Sequence, residues 1–396
     1  MTMAEGGFLE RYLLLGLRLG KLIDGLVDAY YGPDELSALV EAEERAEPAA
    51  LTAESQALLA GLEGSIEDEQ RSRWLRAQLV GLETVARRLA GEEISYVDEV
   101  ERCYGVRPTL VAEEEFARAH AALDEVLPGE GTVKERYQAW ETSTLVDREA
   151  LLAVFGGLTD ELRARTQAVI ALPDGESVQL ELVQNEPWLA FNYYLGGLRS
   201  RVAFNTDLPW RATDLFDVVA HELYPGHHTE HVLKEELLVR EGGRREETIF
   251  LVGTPQSLLN EAIATLAPEI VGGESVDESA AELLRPLGVE FDATLAAHVR
   301  KHAETLAHIG GNAALLLHEQ GLPFDEVRAY ALRWSLRSDA RVDKGLQFVT
   351  DPTWRAYVFC YTEGLTLARR FVDGDLARFR RLLVEQVVPA DLLAAA

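Results

Sequence analysis

Residues His221 to His228 read H-E-L-Y-P-G-H-H, a carboxylate and three imidazoles within eight positions, a density found nowhere else in the 396-residue chain. Hydrolytic zinc sites of the H-E-x-x-H kind take two neutral imidazoles from one helix, and the Glu beside the first takes a proton from water. His221 and Glu222 have the types and adjacency for the first ligand and the general base. The usual second His, four residues on, is missing because position 225 is Pro. In an unbroken helix His227 would lie about 9 Å farther along the axis and roughly 240° round, and His228 about 10.5 Å along on the first face. Neither could share an ion with His221. Pro225, however, has no N–H and collides with the carbonyl four residues back, which belongs to His221 itself. Gly226 tolerates the backbone angles of a reversal. A kink can therefore fold an imidazole back onto His221. His227, directly after Gly226, is the expected ligand, with His228 pointing about 100° away on the restarted helix. The plainer alternative is a helix ending at Tyr224, with His227 and His228 solvated in a turn.

A third ligand is expected from Asn260-Glu261-Ala262-Ile263-Ala264. Glu261 is the single charged residue between Phe250 and Pro268. Thr254 and Pro255 have the types of an N-cap and first helical residue, and Leu258, Leu259, Ala262, Ile263 and Leu266 recur at helical spacing. A lone carboxylate on so apolar a helix is costly to bury unless it is paired or binds a metal. Two His and a Glu on a second helix make the His₂Glu set of catalytic zinc sites. The competing reading has Glu261 in solvent or paired with an Arg, and Glu230 and Glu269 are the next candidates for the ligand.

These residues resemble a family. H-E-x-x-P-G-H-H is similar to the signature of the bacterial domain-of-unknown-function 885 proteins, which look like distant relatives of the thermostable (Taq-type) zinc carboxypeptidases. The resemblance runs from about Asn192 to Gly364 and covers Ser200-Arg201-Val202-Ala203-Phe204-Asn205, Asn260-Glu261-x-x-Ala264 and Tyr357 to Gly364. It implies a mainly α, zincin-like fold with a small antiparallel sheet beside the metal helix, and a zinc peptidase activity. It also favours His227 over His228 as the ligand. Tyr361, in Tyr361-Thr362-Glu363-Gly364, aligns with a Tyr-x-x-Gly of the family. It is the first choice for a hydroxyl that steadies a developing oxyanion, with Tyr357 second. The chain departs from the family at Glu230, where Gln is usual.

Length and composition permit such an enzyme. At 47 % hydrophobic residues, the chain can build a substantial core. A net charge of −29 excludes a nucleic-acid backbone and disfavours anionic membrane surfaces as partners; its ordinary meaning is solubility. Cys103 and Cys360 are isolated, so neither a disulfide framework nor a thiolate metal site is indicated. Met1 to Phe8 lacks the basic and apolar regions of a signal peptide. Leu13 to Leu26, interrupted by Arg18, Lys21 and Asp24, reads as an amphipathic helix stopping before Gly32-Pro33 rather than a membrane span. A cytoplasmic location is the expectation.

Residues 1–174 read as a helical region that supports the site, and 175–396 as a metal-site region forming one unit with it. After Pro173-Asp174-Gly175 the pattern turns to strands. Val178, Leu180 and Leu182 alternate with polar residues, and Trp188–Tyr194 and Leu198–Phe204 are β-rich. The last strand, Arg201, Ala203 and Asn205 on one side and Val202 and Phe204 on the other, is a candidate edge for main-chain pairing with a peptide. Leu215, Phe216, Val219, Ala220 and Leu223 make the buried face of the metal helix, leaving Asp217 as a candidate acceptor for the second N–H of a metal-bound His. Arg201, Arg341 and Arg355 are candidates to hold a terminal carboxylate. His298 and His302 lack a following Glu, and Gly129–Lys134 lacks the spacing of a phosphate loop. The expected activity is hydrolysis of a peptide or small amide by a Zn²⁺ site of His221, His227 and Glu261 with Glu222 as base. The alternatives are a silent helical scaffold and an amidase or esterase acting on a non-peptide.

Overall fold

The first apolar stretch forms a helix over Met3–Gly20 and ends sooner than its pattern promised, because the chain turns at Gly25, which adopts φ 77°. Val27–Tyr30 is instead a short strand, paired antiparallel with Ile249–Leu251. This computed structural model describes residues 3–186 and 188–395. With 66 % helix and 7 % strand, it has the mainly α class expected. No helix among the described residues is long and apolar enough to cross a membrane.

Helices Asp34–Ala42 through Leu151–Val169 fill the N-terminal region, several of them started by the side chains one would choose. Ser95 accepts from the Asp98 N–H, and Thr132 and Glu135 form a reciprocal capping box. Three strands follow, Ser177–Val183, Ala190–Tyr194 and Arg199–Asn205. The last is central, antiparallel to Ala190–Tyr194 but parallel to Ser177–Val183. It is therefore not the edge strand expected from its place in the chain, and one pairing of this sheet is not antiparallel. The cause is local. A tight turn with positive φ at Gly196, Gly197 and Leu198 folds Arg199–Asn205 back against Ala190–Tyr194. Ahead of that hairpin, Asn205 Nδ2 donates to Glu186 O and Trp188 O at 2.8 and 2.9 Å. The free flank of Arg199–Asn205 thus faces a strand running its own way. Ser200, Val202 and Phe204 are turned to the helices, where Phe204 stacks on Phe155 at 3.8 Å between ring centroids.

Two apolar cores share one helix. The larger gathers Leu9, Tyr12 and Leu13 from the N-terminus with Phe359, Leu367 and Phe371 near the C-terminus. The smaller packs Phe155, Phe204 and Trp210 around Leu215, Phe216, Val219 and Ala220, the predicted buried face of Ala212–Glu222. Both cores draw residues from either side of position 174. Helix Pro255–Gly272 belongs to both, giving Leu258, Leu259, Ala262 and Ile263 to the larger and Ala267 and Val271 to the smaller. Thr254 precedes it as expected, but its hydroxyl donates to Leu251 O at 2.7 Å instead of capping the helix.

Helix Val358–Val372 lies close against Pro255–Gly272 because Gly364 has no side chain. A Cβ there would sit 3.1 Å from Leu258 O and 3.2 Å from the Ala262 Cβ. This gives the Gly of Tyr-x-x-Gly a physical role. Gly364→Val is expected to lower stability by about 1–3 kcal/mol through overpacking. Urea denaturation would show it, and a variant as stable as the parent would mean that the helices can separate without cost.

Candidate metal centre

The helix that carries His221, Ala212–Glu222, stops at Glu222. Leu223 leaves the helical region with φ −124° and ψ −85°, the Tyr224-Pro225 bond is cis, and a new helix starts at His227. Between them the chain turns back onto the end of its own helix. The Gly226 N–H donates to Ala220 O at 2.9 Å, and a Cβ on Gly226 would lie only 1.9 Å from His221 O. Only Gly fits. The Thr229 N–H and hydroxyl both donate to Leu223 O, at 3.2 and 3.1 Å, joining the restarted helix to the end of the first.

The reversal brings the rings of His221 and His227 to 4.6 Å between centroids. Glu261 completes the group: its Oε2 lies 3.5 Å from His221 Nε2 and its Oε1 3.6 Å from His227 Nε2. One ligand atom from each residue falls within 4.8 Å of the others. For metal–ligand distances of 2.0–2.1 Å a tetrahedron has ligand-to-ligand edges of about 3.3 Å, so the observed spacings suit a zinc-sized ion. Glu261 Oε2 is buried with no hydrogen-bond partner in the protein. Glu261 Oε1 accepts from the Tyr357 hydroxyl at 2.8 Å. That bond fixes the carboxylate and takes Tyr357 out of consideration as a free donor.

The electrostatics also call for a cation. Burial pushes the His221 imidazole down to about 4, with His227 adding to the effect and Glu261 opposing it, so the ring is neutral and able to bind a metal. Burial works against charge on His227 too, but Glu261, Glu222 and Glu230 outweigh it and raise that ring to about 9. The carboxylates that hold a proton there would equally hold a divalent ion. Burial lifts Glu222 to about 7, against His227 and with the help of Glu261 and Asp28, which suits a proton acceptor near neutral pH. Its main-chain carbonyl accepts from Asn192 Nδ2 at 2.6 Å. Tyr361 is 40 % exposed, yet its hydroxyl is raised well above the ordinary value, by burial first and then by Glu261, Cys360, Glu222 and Asp28. Its ring lies edge-on to that of Tyr357, at 5.7 Å between centroids.

His228 is fully buried and has both nitrogens engaged. Nε2 donates to Glu176 Oε2 at 2.9 Å and Nδ1 accepts from the Ser200 hydroxyl at 2.8 Å. Burial keeps this ring neutral against the pull of Glu176. Glu176 also accepts from Tyr224 at 2.6 Å and from Arg163 at 2.6 Å, so one carboxylate anchors the whole reversal. The reserve ligands lie elsewhere. Glu230 accepts from Lys234 at 2.5 Å and Asn260 at 2.6 Å, and Glu269 pairs with Arg369 at the surface. Asp217 Oδ2 accepts from Arg300 at 2.5 Å, and its Oδ1 is buried without a hydrogen-bond partner; no contact with His221 is seen. Burial raises the carboxyl of Asp28, on strand Val27–Tyr30, to about 7, with His227 opposing the shift and Glu261 adding to it. A surface depression of about 510 Å³ lined by Arg73, Arg76, Arg102 and Pro255 shares no residue with this cluster.

No family model and no curated protein matches the chain. The fold is similar to that of solved structures, among them the following two. A "putative lipoprotein" from Colwellia psychrerythraea has a TM-score of 0.55 at 18 % identity, over 91 % of this chain and 73 % of that one. A "putative lipoprotein of unknown function" from Shewanella oneidensis has a TM-score of 0.50 at 10 % identity, over 90 % and 75 %. The likeness is one of fold.

His227→Ala is expected to lose zinc on dialysis against a weak chelator. His228→Ala should retain zinc while losing about 1–3 kcal/mol of stability, since Glu176 and Ser200 are left without their partner. Zinc content by atomic absorption decides. The reverse pattern would move the ligand role to His228, and retention by both variants would exclude a metal site here.

Proposed function

We propose that the chain is a zinc-dependent hydrolase of the metallopeptidase kind, acting on a peptide or small amide. The observation that carries this reading is the convergence of His221, His227 and Glu261 beside a buried Glu222, achieved through a chain reversal that serves no other visible end. The donor set and its spacings fit zinc, which when bound would polarise the scissile carbonyl and acidify a water molecule. The motif's resemblance to the domain-of-unknown-function 885 proteins points the same way.

The chain's own residues divide the remaining work. Glu222 takes the proton from the attacking water and passes it to the leaving amine, a shuttle for which a carboxyl near 7 is suited. Asn192 holds the main chain at Glu222. Tyr357 fixes Glu261. Tyr361, with no hydrogen bond to any described residue, is free to donate to the developing oxyanion. Recognition of a terminal carboxylate, as a carboxypeptidase needs, finds less support. Arg201 is held by Glu181 and lies 4.1 Å over the Tyr193 ring, and Arg355 is held by Glu99. Arg341 has Arg211, Arg337 and Asp214 as its charged neighbours, not Glu222 or Glu261. The free, buried Cys103 and Cys360 support the cytoplasmic location proposed for the protein.

On any peptide that the parent cleaves, Glu222→Gln should keep its zinc and lose kcat by about a thousandfold, because the amide preserves shape but accepts no proton. Tyr361→Phe should lose roughly a hundredfold in kcat with little change in KM. Near-normal turnover by the first variant would remove Glu222 as the base, and by the second would remove Tyr361 from the oxyanion site.

A further inference from the structure

Two members of the cluster sit on separate helices, His227 on His227–Lys234 and Glu261 on Pro255–Gly272. The gap between them, 3.6 Å from Nε2 to Oε1, therefore depends on how the two helices are held together. The reversal at Gly226 places His227, and Tyr357 fixes Glu261, but neither ties one helix to the other. Outside the ligand pair itself, one side-chain hydrogen bond joins these helices among the described residues. It runs from Asn260 Nδ2 to Glu230 Oε2, at 2.6 Å.

Both ends of that bond lie close to a ligand. Asn260 is the residue before Glu261, and Glu230 is three beyond His227, on the same side of its helix. Glu230, Asn260 and Lys234 are all buried. The other oxygen of Glu230, Oε1, accepts from Lys234 Nζ at 2.5 Å, one turn farther along the same helix. A Glu four residues before a Lys is the favourable order on a helix, and the pairing removes most of the cost of burying the carboxylate. A charged acceptor makes a hydrogen bond about twice as strong as a neutral one, so the ion pair also strengthens the grip on Asn260. With both oxygens engaged, Glu230 is a link between helices and not a spare ligand.

We propose that Glu230 is a positioning residue for the metal centre: through Asn260 it sets the separation of His227 and Glu261, and Lys234 supplies the charge that lets it lie buried there. The inference rests on the zinc reading of the cluster. It makes zinc affinity depend on a bond that touches neither the ion nor the substrate. Without that bond all three ligands remain, but the two helices that carry His227 and Glu261 are free to drift, and the ion is held more weakly although no donor has been removed.

Three variants of the full chain separate the bond from the charge. Glu230→Gln/Lys234→Met and Glu230→Ala/Lys234→Met both abolish the ion pair and are both neutral at these positions, but the first keeps an oxygen for Asn260 Nδ2 and the second does not. Asn260→Ala breaks the same bond from the other helix and leaves the ion pair whole. Zinc affinity is read by competition with a chromogenic chelator, on protein whose far-UV circular dichroism matches that of the parent. Glu230→Ala/Lys234→Met and Asn260→Ala should bind zinc about 10- to 100-fold more weakly than the parent, and Glu230→Gln/Lys234→Met within about threefold of it. Parent-like affinity in either bond-breaking variant would overturn the proposal, as would an equal loss in Glu230→Gln/Lys234→Met. If Glu230→Ala/Lys234→Met does not fold, Asn260→Ala set against Glu230→Gln/Lys234→Met decides in the same way. If the parent itself takes up no zinc, it is the metal reading that has failed, and crystal structures of the parent and Asn260→Ala then decide about Glu230. A wider gap between His227 Nε2 and Glu261 Oε1 in the variant supports its positioning role, and an unchanged gap overturns it.

Discussion

The contact between Gly226 and the end of helix Ala212–Glu222 governs everything around it. A single Cβ at position 226 would enter the carbonyl of His221, so the reversal that recruits His227 exists only because this residue has no side chain. Everything nearby holds that fold-back in place. Thr229 satisfies Leu223 O from the far side, and Glu176 gathers Tyr224, His228 and Arg163. A regular helix needs no such support for a His four residues on, because its own backbone bonds set the register. Here side-chain anchors replace that register, and much of the buried polar inventory near the site is spent on them.

The second constraint is charge. Glu222 and Glu261 are brought beside His227, whose ring they and Glu230 raise to about 9 against its burial. Acids so placed repel one another and lose hydration, an arrangement that costs free energy unless a cation is supplied. Other buried acids of the fold come with their own partners, as Glu230 does with Lys234 and Glu246 with Arg71. The contrast separates carboxylates that the protein neutralises itself from those that it leaves for something else to neutralise.

What could be read in advance follows the range of the interactions. His221, Glu222 and His227 were legible because Pro225 and Gly226 act within a few residues, and Glu261 because a lone acid stands out on an apolar helix. The strands near Val178, Phe191 and Val202 were visible from alternation, but not their order, since alternation is blind to which strands pair. Asp28 was not legible at all. Its strand has four residues, and the partner that defines it, Ile249–Leu251, lies more than two hundred positions away. Tyr361 was the first choice for an oxyanion donor and Tyr357 the second; the structure commits the Tyr357 hydroxyl to Glu261, a bond that their sequence did not announce. Asp217 meets Arg300 from far along the chain, whereas strand Arg199–Asn205 is central because Ser177–Val183, only 22 residues before it, pairs on its other side.

Helix Pro255–Gly272 is shared by the two apolar cores, and it carries the third member of the cluster. His221 rides on a helix of the smaller core, whereas Tyr357, which aims Glu261, belongs to the larger. The cluster can therefore be assembled only after both cores have formed and docked on their common helix. A nascent, damaged or half-unfolded chain would hold the individual side chains but not the constellation. If the chain is the peptidase proposed, it carries its own safeguard, because incomplete copies cannot attack the proteins around them.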